Sequence, residues 1–156
     1  MQSFPPTYVL RHRRENLKKC SLRGLESRPD FDFFSYPNSK LPDISNYIML
    51  DFEGPVISPA DSHLGLFILD ATWRYAEKMV RFVDDQVVLE RRSLPPEFRT
   101  AYPRRQEDCS LPERGLASIE AIYIAYWLMG RETARLLENY HWKTEFMENN
   151  KLLKIN

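Results

Sequence analysis

The segment Leu64-Gly65-Leu66-Phe67-Ile68-Leu69 is the most apolar run in the chain, and it stops abruptly on Asp70. Ala71, Thr72 and Trp73 follow, and from Trp73 the apolar spacing changes. Trp73, Ala76, Val80 and Val83 recur at helical intervals, with Arg74, Glu77, Lys78 and Arg81 opposite, which predicts a helix over about 73–83. A run without polar alternation suits a central strand covered on both faces. A buried strand that passes directly into a helix is the repeating unit of an α/β layer. In open sheets of that kind ligands sit beyond the carboxyl ends of the strands, so the junction at Asp70 is also a candidate site.

The flanking chain fits this layer. Thr7-Tyr8-Val9-Leu10, Phe31 to Tyr36, Tyr47 to Asp51 and Gln86 to Glu90 read as further strands, and Val56 to Asp61 as a short extension followed by a helix start. Residues 91–117, with four prolines and little periodicity, read as one long loop, a length that usually serves function. Ile119, Ile122, Tyr123 and Tyr126 predict an apolar helix closed by Gly130, and Thr133, Leu136, Leu137 and Tyr140 predict a second one. The expected fold class is α/β, with a mainly parallel sheet flanked by helices.

At 156 residues and 43% hydrophobic content, one domain with a substantial core is expected, divided into an N-terminal basic part over about 1–45 and the remainder over about 46–156. No apolar run is long enough to span a bilayer, and no basic-then-apolar leader opens the chain, so a soluble cytoplasmic protein is expected. Cys20 and Cys109 form no CxxC pair and His12, His63 and His141 are scattered, which argues against a metal or redox site. The phosphate-cradling and nucleophile-elbow motifs of dinucleotide enzymes, P-loop NTPases and serine hydrolases are missing.

The formal net charge is zero, but the cations are clustered. One group holds Arg11, Arg13, Arg14, Lys18, Lys19, Arg23 and Arg28, and another Arg91, Arg92, Arg99, Arg104 and Arg105. Such clusters fit phosphate contact on one face, although on charge alone ordinary solvated surface is the leading reading.

Several residues carry two readings. Asp70 either caps the following helix or faces a ligand at the sheet edge, as a proton acceptor or an anchor. Trp73 is either core or a wall that packs against a base or a cation. Ser21 is a turn residue or an anion contact. Glu120 sits in the first turn of an apolar helix, where the helix dipole accounts for it. The N–H groups around Leu116 to Ser118 open that helix and are suited to a ligand oxygen.

At these residues the chain resembles the S-adenosylmethionine-dependent 3-amino-3-carboxypropyltransferases of the SPOUT superfamily. Lys18-Lys19-Cys20-Ser21, Ile57-Ser58-Pro59-Ala60-Asp61, Arg92-Ser93-Leu94-Pro95, Thr100-Ala101-Tyr102-Pro103 and Leu116-Ala117-Ser118-Ile119-Glu120-Ala121 resemble the branch that modifies a pseudouridine of small-subunit ribosomal RNA. Asp70-Ala71-Thr72-Trp73 resembles the DTW-domain branch, which modifies uridine in tRNA. Tyr102 stands where the ribosomal branch has asparagine.

The resemblance implies a SPOUT-type fold with a C-terminal trefoil knot, and transfer of an aminocarboxypropyl group from S-adenosylmethionine to N3 of a uracil-type base in rRNA or tRNA. It implies cofactor contacts at Ser21, Leu50, Leu69, Asp70, Trp73, Leu94, Leu116 and Ser118, with Asp70 as base or anchor. Lys18, Lys19, Arg23, Arg91, Arg92, Arg104 and Arg105 would contact RNA. A monomer or weak homodimer is expected. A SPOUT methyltransferase and a non-catalytic RNA-binding assembly factor are the alternatives.

Overall fold

A computed structural model describes residues 4–14, 20–37, 40–71, 73–103, 115–151 and 153, with the backbone alone described at Trp73. Five strands form one sheet: β1 (Thr7–His12), β2 (Phe31–Tyr36), β3 (Tyr47–Leu50), β4 (Gly65–Asp70) and β5 (Glu90–Arg92). Their order is β2-β1-β4-β3-β5 and every pairing is parallel. The carboxyl ends of all five strands therefore lie along one edge.

Successive side chains of a strand point to opposite faces, and here both faces are covered. Val9, Ile48, Leu66 and Ile68 join a core with helix α2 (Ser118–Met129). Leu10, Met49 and Phe67 join a second core with Met79 and Val83 of helix α1 (Trp73–Asp84). This double burial is why β4 is apolar without alternation. Helix α2 is apolar almost all round because the C-terminal segment covers its outer side: the Phe146 ring of helix α3 (Lys143–Asn149) meets Tyr123 edge-on at 6.0 Å. Gly130 closes α2 in the left-handed conformation (φ 77°), as expected from its position.

Two expected elements differ. The strand expected over Gln86 to Glu90 begins only at Glu90 and runs to Arg92. Its partner β3 begins at Tyr47 and pairing starts at Ile48↔Glu90, so Val87 and Val88 lie before any β3 residue and Val88 stays 85% exposed. The helix expected over Thr133 to Tyr140 is a series of turns, because Arg135 takes a left-handed conformation (φ 69°) that stops helix growth. Leu136, Leu137 and Tyr140 are buried all the same; the apolar spacing marked core, and the helix forms one segment later.

The chain leaves β3 and β4 toward opposite faces. The β3–β4 connection places Ile57 in the α2-side core, while α1 follows β4 on the other side. Divergent connections at neighbouring carboxyl ends open a crevice between them.

Candidate functional site

A cavity of about 320 Å³ occupies that crevice. The end of β3 contributes Leu50, Asp51 and Phe52, and the end of β4 contributes Leu69 and Ala71. Ala76 and Val80 of α1 form one wall, Leu94, Pro95 and Phe98 after β5 another, and Leu116, Ser118 and Ala121 at the start of α2 a third. Among the described lining residues only Asp51 and Ser118 carry polar side chains. Mostly apolar walls, a few polar groups and this volume suit a small organic ligand. Five residues that the sequence marked, Leu50, Leu69, Leu94, Leu116 and Ser118, come together here from four separate segments.

The loop after β3 is built to a fixed shape. Asp51 N–H donates to Arg92 O (2.9 Å), Ser93 N–H to Pro55 O (2.8 Å) and Ile57 N–H to Ser93 O (2.9 Å). Gly54 turns it at φ 103°, and a Cβ there would lie 2.8 Å from the Arg91 carbonyl oxygen, so both conformation and space demand glycine.

Asp70 lies behind the cavity wall. It is 4% exposed and is not among the lining residues, although its neighbours Leu69 and Ala71 are. The ligand-facing position expected for it is taken by Leu69 and Ala71 on either side. Its Oδ2 accepts from Arg11 Nε (3.0 Å) and Cys20 Sγ (3.2 Å), and its Oδ1 accepts from Ser118 Oγ (3.2 Å). Arg11 and Asp70 stand opposite each other in the β1–β4 register, so strand pairing itself sets the ion pair. Burial works against the Arg11 charge, but hydrogen bonding to Asp70 and attraction from Cys20 and Asp70 outweigh it and raise its pKa. Burial, then the Asp70 charge, pushes the Cys20 thiol up to about 12, so it is a neutral hydrogen-bond donor.

The first turn of α2 is tied down from both ends. Ser118 donates to Asp70, and the Ile119 N–H donates to Ser21 Oγ (3.2 Å). Ser21 therefore caps the helix from a distant segment and is not a wall residue of the cavity. Glu120 is fully buried and accepts from Thr100 Oγ1 (2.6 Å), Ala101 N–H (2.8 Å), Ala117 N–H (2.8 Å) and Tyr140 Oη (2.9 Å). Beyond the dipole role expected for it, Glu120 holds the segment that follows Phe98 in place against α2.

The expected RNA contacts separate into groups. Arg23 is exposed. Arg91 pairs with Asp84 (2.9 Å) and Asp51 (3.4 Å), and Arg92 with Glu90 (3.0 Å) and Asp61 (3.3 Å). These two arginines tie the end of β5 to the loop beside it. Lys18, Lys19, Arg104, Arg105 and the Trp73 side chain lie outside the described residues. The sequence reading missed Arg11 and Cys20 as site residues. Arg11 carried a signal, since an arginine directly after an apolar strand segment needs a carboxylate partner if it is buried.

Fold and site together define an open, all-parallel α/β protein with a ligand-sized apolar crevice at the carboxyl ends of its central strands. The sequence matches no protein-family model and no curated protein. Among solved structures the chain is similar to the SAM-dependent rRNA:acp-transferase Tsr3 from Vulcanisaeta distributa, with a TM-score of 0.71 and 21% sequence identity over 96% of this chain and 80% of that one. That likeness establishes the shared fold.

Proposed function

We propose that this protein is an S-adenosylmethionine-dependent 3-amino-3-carboxypropyltransferase acting on N3 of a uridine or pseudouridine in ribosomal RNA. The observation that carries the reading is the convergence of Leu50, Leu69, Leu94, Leu116 and Ser118 on one cavity. The fold shared with Tsr3, itself a SAM-dependent rRNA:acp-transferase, supports it. So does the order of the motifs, and the same reading includes the SPOUT class and its C-terminal knot.

The cavity chemistry fits the cofactor. Leu50, Leu94 and Leu116 offer flat apolar contact to a nucleobase, and Ala76 leaves room beside them. Ser118 gives its proton to Asp70, which leaves its oxygen lone pairs for an ammonium group at the cavity wall. Asp70 accepts three donors of this chain behind the wall, so in this reading it holds Ser118 in place at the cavity and takes no proton from the substrate. Trp73 keeps the apolar-wall role that its motif implies.

When bound, S-adenosylmethionine would supply a sulfonium whose methionyl γ-carbon can bond to N3 as the Cγ–S bond breaks, with methylthioadenosine as the leaving group and the N3 proton passing to solvent. The walls decide which carbon is held in line, and only that carbon reacts. N3 is engaged in a base pair within a duplex, so the substrate base must be unpaired.

The test uses S-adenosylmethionine labelled either on the methyl or on the carboxypropyl carbons, incubated with protein and with ribosomal or transfer RNA. Label is expected in rRNA from the carboxypropyl carbons alone. Transfer of the methyl would establish a methyltransferase instead. A folded sample that binds no S-adenosylmethionine by calorimetry would establish a non-catalytic RNA-binding protein.

A further inference from the structure

We infer that the carboxyl end of β1 forms a second subsite, for a phosphate and a base of single-stranded RNA next to the base held at the cavity. The inference rests on the function proposed above and extends it to residues outside the cavity.

The turn leaving β1 is ordered by its own hydrogen bonds. The Arg13 N–H donates to Tyr36 O (3.1 Å) and the Arg14 N–H to His12 Nδ1 (3.1 Å). Both arginine side chains are exposed on this turn, and among the described residues no carboxylate pairs with either. Arg11, Arg28, Arg91, Arg92 and Arg135 are each held by a carboxylate of the chain. Arg13 and Arg14 are thus two adjacent exposed cations with no carboxylate partner among the described residues.

Beside them stands an aromatic group. The His12 ring stacks on Tyr75 of α1, with centroids 4.1 Å apart and planes 16° from parallel, and Tyr36 lies 5.5 Å away. Tyr36 and Tyr75 are half-buried. His12 itself is buried and accepts the Arg14 N–H at Nδ1, so it supports the Tyr75 ring from behind. Burial, then the charges of Arg13 and Arg14, lowers its pKa and keeps the ring neutral near pH 7.

Position completes the argument. β1 is the hydrogen-bonded neighbour of β4, and the carboxyl ends of both lie on the same edge. The subsite is therefore about 5 Å, one strand spacing, from the end of β4 that walls the cavity. Guanidinium groups for phosphate next to aromatic rings for bases are the elements of single-strand recognition.

The test measures binding of a fluorescein-labelled single-stranded RNA oligonucleotide across a salt series, with wild type, R13A/R14A, Y75A and Y75F. R13A/R14A is expected to make the slope of log affinity against log salt shallower by about 1.4, the value for two lost contacts on a single strand. Y75A is expected to bind about tenfold more weakly and Y75F like wild type. S-adenosylmethionine affinity stays unchanged in each. An unchanged affinity and slope in R13A/R14A would overturn the inference, as would equal binding of a duplex of the same length. A wild type that binds RNA in this arginine-dependent way yet binds no S-adenosylmethionine would sink the transferase reading and uphold the subsite.

Discussion

Replacing Arg11 by methionine removes the cation opposite Asp70 while keeping much of the side-chain volume. The pair is buried, with side-chain exposures of 11% and 6%, and the contact is 3.0 Å. Removing one partner of a buried ion pair costs about 3–5 kcal/mol, because the other charge is left uncompensated. Cys20 and Ser118 still donate to Asp70, which moves the expectation to the lower end, about 3 kcal/mol. The guanidinium also lies 4.6 Å over the Phe33 ring, worth about 0.5–1 kcal/mol more. Its bond to Glu26 adds little, since that carboxylate is 44% exposed. Urea denaturation of R11M should therefore show a midpoint lower by roughly 1–1.5 M. The double variant R11M/D70N removes the stranded charge as well and should recover more than half of the loss. A loss under about 1 kcal/mol in R11M, or a double variant that loses the sum of the two single effects, would refute the view that this pair anchors the site.

Three further outcomes follow from the geometry. Ala76→Phe fills the cavity from α1 and should abolish S-adenosylmethionine binding by calorimetry while circular dichroism and the urea midpoint change little. Glu120→Gln places an amide NH2 among four donors and should destabilise by about 3 kcal/mol, with faster proteolysis over 98–102. Cys20 should resist alkylation in the folded protein at pH 8. Its folded pKa of about 12 lies above its usual 9.0, so the unfolded chain loses the thiol proton first. Its contribution to stability is complete below pH 9 and is lost as pH rises toward 12; urea midpoints of wild type and Cys20→Ala across that range read the difference.

The layer was legible in the sequence because its signals are local. The β4 run is apolar without alternation since both faces are covered, and the spacing from Trp73 to Val83 shows a single buried stripe. The leucines at 50, 69, 94 and 116 were marked by motif likeness, and the fold brings them to one cavity. The less legible elements depend on distant partners. β5 starts where β3 can pair with it, and Thr133 to Tyr140 has the apolar spacing of a helix but a left-handed residue at Arg135.

By itself, then, the chain determined which segments are apolar enough to form strands and helices, and that a polar group stands where the central strand ends. Tertiary structure decided what those polar groups do. Arg11, in a basic cluster along the chain, becomes the partner of Asp70 through strand register, and Ser21 becomes a cap for a helix 98 residues away. Arg91 and Arg92 are taken up by carboxylates of the chain, while Arg13 and Arg14 are left exposed. Hydrophobic burial depends on residue type and spacing, both written locally. Pairing of charges and hydrogen-bond donors depends on distances that exist only once strands from separate parts of the chain lie side by side.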